Sequence, residues 1–97
     1  GAEDLALLGA EKLLKEQRPV IVCEILTQDK AHTQRIEDVL KRAGYVHGHV
    51  HRHGVRMRNH IEPDILRKDR NFFLWPSEMD LRKFGAQIQD ERTSSGL

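Results

Sequence analysis

Residues 20–26 read Val-Ile-Val-Cys-Glu-Ile-Leu, apolar on both side-chain parities except at Glu24. A strand alternates its side chains between two faces, so a run without alternation asks for cover on both, as in a parallel α/β sheet. The run is too short to favour a helix, and its β-branched content agrees with a strand. Pro19 sets its start, because the residue before a proline is pushed out of the helical region. Such a strand needs parallel neighbours, and a chain of 97 residues offers few. We therefore expect a missing N-terminal portion, and Gly1-Ala2-Glu3-Asp4 running straight into helical periodicity reads the same way.

Around this strand the pattern predicts a helix over 3–16, with Ala6, Leu7, Ala10, Leu13 and Leu14 in one stripe. Leu5 and Leu8 fall outside the stripe, either as scattered surface leucines or as the remnant of a lost contact. A second helix has Thr33 as its N-cap, Ile36, Val39, Leu40 and Ala43 on its apolar face, and Gly44 at its left-handed exit. From Tyr45 the period becomes two, with Val46, Gly48 and Val50 on one face and Tyr45, His47, His49 and His51 on the other. His53-Gly54 followed by Val55-Arg56-Met57-Arg58 predicts a β-hairpin. Residues 60–70 read as a loop, Asn71–Trp75 as a short strand closed by Pro76, and the stretch from Ser77 as a final helix with Asp80 at N3 and Leu81, Phe84 and Ile88 along one side. Arg92 to Leu97 reads as a frayed tail.

Composition narrows the classes. With 38% hydrophobic and 32% charged residues the chain has the profile of a soluble domain, and a net charge of +1 exerts no global pull on nucleic acid or anionic membrane. No apolar stretch approaches the roughly 20 residues of a membrane helix, and no secretory signal is read. Cys23 is the single cysteine, which excludes an internal disulfide and suits a reducing, cytoplasmic setting.

Three segments together resemble the FkbM-type methyltransferases. They are Gly1-Ala2-Glu3 with Leu8-Gly9-Ala10 and Arg18-Pro19, then Leu40-Lys41-Arg42-Ala43-Gly44-Tyr45, then Asn71-Phe72-Phe73-Leu74-Trp75-Pro76. The resemblance covers roughly residues 1–76. It implies an α/β fold, the C-terminal half of a Rossmann-like class I methyltransferase: helix, parallel strand, helix, antiparallel edge strands and a C-terminal helix. Val20–Leu26 would be the fifth strand, Tyr45–His51 the sixth, at the sheet edge, and Asn71–Trp75 an antiparallel insertion between them. Residues 1–91 would be a partial domain lacking the cofactor-binding half, with 92–97 a tail. The family's glycine-rich turn and the acidic residue that hold S-adenosylmethionine are missing, so this chain alone is expected neither to bind it nor to transfer methyl groups. The parent would methylate the hydroxyl of a small-molecule acceptor, a sugar or related natural product.

The resemblance places Glu3 near the catalytic cleft, where a carboxylate can take the hydroxyl proton; a helix start also favours an acid through its dipole. Glu24 is the second catalytic candidate, lying near the carboxyl end of a strand where open α/β sheets bind ligands, though a buried structural carboxylate bonded to a neighbouring loop is slightly the better reading there. His47, His49, His51 and His53 alternate, and alternate strand residues lie ~6.5–7 Å apart on one face, close enough for a shared metal. His60 or Asp64 would complete that site, so a metal-binding or partner-docking hairpin is the alternative function; a water-facing edge strand also tolerates such histidines. Arg52, Arg56, Arg58, Arg67, Lys68 and Arg70 make 52–70 locally basic, but this stretch lacks aromatic stacking partners and carries Glu62, Asp64 and Asp69, so a solvated face guarding a sheet edge is preferred over nucleic acid. A severed sheet would leave Val20–Leu26 with an open edge and Leu5 and Leu8 facing water, so the chain is expected to self-associate there or to fold marginally.

Overall fold

The computed structural model describes residues 9–26, 29–62 and 70–93. Glu3, Leu5, Leu8, Asp64, Arg67, Lys68 and Asp69 lie outside the described residues. The elements run α1 (Glu11–Gln17), β1 (Ile21–Glu24), α2 (Lys30–Ala43), β2 (Tyr45–His51), β3 (Gly54–Met57), β4 (Asn71–Pro76), a single 3-10 turn (Leu81–Phe84) and β5 (Ile88–Asp90).

Local chemistry sets the boundaries. Arg18 adopts the left-handed conformation (φ 54°) after α1, with its N–H bonded to the Leu14 carbonyl at 3.2 Å, and Pro19 then forbids further helix. The α2 helix begins at Lys30, earlier than Thr33 as N-cap would place it. Asp29 precedes Lys30 and accepts from the Ala31 N–H at 2.9 Å, a stronger cap that captures the start, while the Thr33 hydroxyl donates to the Lys30 carbonyl within the first turn. Gly44 closes α2 at φ 72°, as its position in the sequence implies.

The five strands form one mixed sheet in the order β1-β4-β2-β3-β5. β4 is antiparallel to both its neighbours, with Cys23 opposite Phe72 on one side and Gly48 opposite Phe73 on the other. β2 and β3 form the expected hairpin, and β5 adds in parallel outside β3. The fold is thus α/β, with Asn71–Trp75 between the two earlier strands. β2 is not an edge strand, however: β3 and β5 extend the sheet beyond it.

The two sheet faces are covered unequally. On the helix side, Leu14 of α1 and Ile36, Val39, Leu40 and Ala43 of α2 pack with Tyr45, Phe72 and Leu74, with Ile21 and Cys23 against them. On the other face Val55, Met57, Trp75 and Leu81 gather Val46, Phe73, Met79 and Ile88. β4 therefore feeds both cores, and it is this strand, not β1, that is buried on two sides. In β1, Val22 is 60% exposed, because nothing beyond β4 covers that end of the second face among the described residues. Leu13 likewise leaves the expected stripe and is 53% exposed, while its neighbour Leu14 is buried.

The expected C-terminal helix is a single 3-10 turn. Asp80 caps it, accepting from the Arg82 N–H at 3.0 Å, and Gly85 ends it in the left-handed region at φ 86°. The chain then extends, the Gln87 carbonyl accepts from the Val55 N–H, and Ile88 pairs beside Val55 in β5 instead of lying along a helix; Phe84 is left in solvent. Thr93, read as part of a frayed tail, donates its N–H to Asn59 Oδ1 at 2.8 Å. Among the described residues no helix is long and apolar enough to cross a membrane.

Gly48 is the tightest point of the sheet. A Cβ there would lie 2.2 Å from Val55 Cγ1 and 3.2 Å from the Trp75 ring. Gly48→Ala should destabilise the domain by ~1–3 kcal/mol, the usual range for overpacking, measured as a lower urea midpoint with an unchanged m-value.

Candidate functional site

The described ends of the three segments that carry the family resemblance, Arg18-Pro19, Gly44-Tyr45 and Trp75-Pro76, lie together. Arg18 sends its guanidinium to the end of α2, donating to the carbonyls of Ala43 and Gly44. It also forms a two-pronged pair with Glu78, Nε to Oε2 at 2.9 Å and an Nη to Oε1 at 2.6 Å, and lies over the Tyr45 ring, 5.1 Å from its centroid. The Tyr45 hydroxyl donates to the Pro19 carbonyl at 2.5 Å, and the Ser77 N–H donates to the Gly44 carbonyl at 2.9 Å. Arg-Pro, Gly-Tyr and the aromatic-Pro ending are thus three sides of one joint. These residues satisfy helix-end carbonyls and fix strand ends; their geometry is that of a scaffold.

The candidate site residues do not gather there. Glu24 ends β1 opposite Asn71 and is exposed, so the expectation of a buried carboxylate fails where the sheet face around it is bare. β1 and β2 are both antiparallel to β4 and hence parallel to each other, which brings Glu24 and His51 to the same end of the sheet.

His47, His49 and His51 occupy the helix-covered face of an interior strand, not a water-facing edge, and His53 sits in the turn that follows. His49 stacks on Phe72 with centroids 4.9 Å apart and planes at 23°. His51 Nδ1 accepts from the His53 N–H at 3.3 Å, tying the hairpin turn, and His53 is exposed. His60 faces Glu37 rather than these rings. Among the described residues no group of three His, Cys, Asp or Glu side chains is arranged to hold a metal. In the basic stretch, Arg56 and Arg58 both reach Glu91, at 3.3 Å, as partners within the fold.

An open cleft of about 500 Å³ lies between α2, the β2–β3 hairpin and residues 92–93. Glu37 is its organising group: one carboxylate oxygen is 3.0 Å from His60 Nδ1, and the other accepts from the Ile61 N–H at 3.0 Å. Asn59 closes the far end, its Nδ2 reaching the Thr93 hydroxyl at 3.0 Å. His47 lines the cleft, and burial pushes its pKa down against the opposing pull of the Glu37 charge. A neutral imidazole beside a carboxylate-oriented one can hydrogen-bond or exchange protons with a small polar ligand. Glu37 and Asn59 carry no local motif; only the fold brings them to this cleft.

Two pH effects follow. Hydrogen bonding to Arg18 holds Glu78 at about 2, below its ordinary 4.5. The pairing therefore stabilises the fold fully above about 4.5 and is lost as pH falls toward 2. Urea midpoints should drop across that window and Glu78→Gln should flatten the drop; the remaining slope belongs partly to Asp90, held at about 2 by Arg92. For His47 the folded state disfavours the charged ring, so its contribution is present above 6.5 and is lost on acidification. An NMR titration should place the His47 midpoint below 6.5, and His47→Gln should remove the matching loss of stability. No family model, curated protein or solved structure matches the chain.

Proposed function

We propose that this chain is the carboxy-terminal part of an S-adenosylmethionine-dependent O-methyltransferase of the FkbM type, built on a Rossmann-like sheet and acting on the hydroxyl of a sugar or related small molecule in a cytoplasmic setting. The observation that carries the reading is β4, which runs antiparallel between two mutually parallel strands, the arrangement the resemblance implies. The Arg-Pro, Gly-Tyr and aromatic-Pro motifs on which the resemblance rests also converge on one joint. On this reading Glu24, at the carboxyl end of β1, and Glu3 are the carboxylates for hydroxyl deprotonation.

The described residues do not fit the cofactor. Gly44 and Gly85 end a helix and a 3-10 turn, Gly48 lies against Val55 and Trp75, and Gly54 against Gln87, so none of these four opens a nucleoside-sized turn between a strand and a helix. The cofactor contacts would come from the other half. Calorimetry with S-adenosylmethionine on these 97 residues and on a longer polypeptide containing them tests this. We expect binding by the longer chain alone. Its failure to bind would overturn the methyltransferase reading, and tight binding by the 97 residues would overturn the claim that the cofactor half lies elsewhere.

A further inference from the structure

The two edges of the sheet are built differently. β5 is three residues long, carries Asp90 in an ion pair with Arg92, and exposes Gln89, all features that discourage further strand pairing. β1 has no lysine, bulge or internal proline, and no described residue pairs with its outer side. Apolar side chains are exposed on the open face beside that edge. Val20 (42% exposed) and Val22 (60%) share the open face, and α1, packed on the helix side through Leu14, leaves Leu13 in solvent.

The backbone phase of this edge is fixed. The Ile25 N–H donates to the Arg70 carbonyl at 2.9 Å, in register with Cys23 opposite Phe72 and Ile21 opposite Leu74. Hydrogen-bonded and non-bonded pairs alternate along an antiparallel ladder, so residues 21, 23 and 25 bond toward β4, while Val20, Val22 and Glu24 turn their N–H and C=O groups outward.

We infer that this edge takes a second copy of the same chain, β1 running antiparallel to its partner about a two-fold axis at Val22. An axis perpendicular to the sheet keeps each face on its own side, so opposed residues must share parity. Centring on Val22 sets Val22 against the partner's Val22 and Val20 against the partner's Glu24, and every outward N–H and C=O of residues 20, 22 and 24 meets a complement. Shifting the axis to Cys23 would bring the two Glu24 carboxylates into diagonal contact, and shifting it to Ile21 would oppose Glu24 to Arg18, whose left-handed backbone ends the ladder. The Val22 register keeps the carboxylates at opposite ends and joins the apolar faces. The contact is isologous and closes as a dimer, because each copy has one such edge and uses it once. The inference concerns the edge as these 97 residues present it; a longer polypeptide that placed a further strand beside β1 would fill the edge and would not dimerise through it.

Sedimentation equilibrium on the 97-residue chain, at concentrations used for NMR, should give twice the monomer mass. Val22→Lys places two like charges opposite each other and should return the monomer, with circular dichroism unchanged. Val22→Pro removes an N–H that β4 does not use and should do the same. Val22→Cys in a Cys23→Ala background should oxidise to a covalent dimer, since a hydrogen-bonded pair holds Cα atoms ~5.5 Å apart, within disulfide reach. A monomeric wild-type chain, a dimer that survives both Val22→Lys and Val22→Pro, or a dimer that fails to cross-link through position 22 would each overturn the proposal.

Discussion

The guanidinium of Arg18 joins four parts of the chain that local structure leaves separate. Its backbone closes α1 in the left-handed region, and its side chain meets the last carbonyls of α2, the ring at the start of β2 and the carboxylate that follows β4. The end of a helix leaves carbonyls without intrahelical partners, and a planar, permanently charged fork can satisfy two of them while still pairing with a carboxylate. Arg42 adds a second tie between the helices through Glu11 at 2.9 Å. With these ends fixed, the Tyr45 hydroxyl holds the entry to β1 through Pro19, and the spacing between β1 and β2 becomes the width of one strand. β4 fills it.

Burial then follows from β4. Phe72 and Leu74 enter the helix-side core while Phe73 and Trp75 enter the other, so one apolar strand serves both layers. The second layer is assembled from small pieces, the 3-10 turn and β5, and these cover the β2–β3 end of the sheet. They stop short of β1. Val22 and Glu24 are exposed for that reason, and among the described residues the sheet has an open edge on one side and a guarded one on the other.

The chemistry of the molecule is divided between two places. Glu24 and His51 lie at the carboxyl ends of two parallel strands, the position that gives the methyltransferase reading its sense. The cleft around Glu37, His47 and His60 lies between α2 and the hairpin, and it is held at both ends by side chains that bind backbone: Glu37 to Ile61 and Asn59 to Thr93. Histidines that share one alternating pattern in sequence are thereby separated in role. One lines the cleft, one stacks on Phe72, one braces the turn and one faces solvent.

What the sequence determined by itself is what depends on neighbours a few residues away. The α2 apolar face, its Gly44 exit, the two-residue period from Tyr45 and a hairpin close to His53-Gly54 all arise from local dihedral preference and alternation, and each is present, the turn itself falling on Arg52-His53 with Gly54 opening β3. Asn71–Trp75 was also legible as a short strand closed by Pro76. Tertiary structure decided the rest, because burial and pairing depend on what lies across the sheet. An apolar run at 20–26 states that two faces can be covered, not that they are, and β1 is half bare because the second layer ends before it. Thr33 lost the helix start to Asp29 by a difference in capping strength between two nearby acceptors. The segment after Asp80 has helical spacing, yet Gly85 and the outer edge of β3 turned it into a strand, since an unpaired edge offers hydrogen bonds that one more helical turn past a left-handed glycine does not. Glu37 and Asn59 became the frame of a cleft only when α2, the hairpin and residue 93 were brought together, a juxtaposition over 23 to 34 positions of chain that no local pattern encodes.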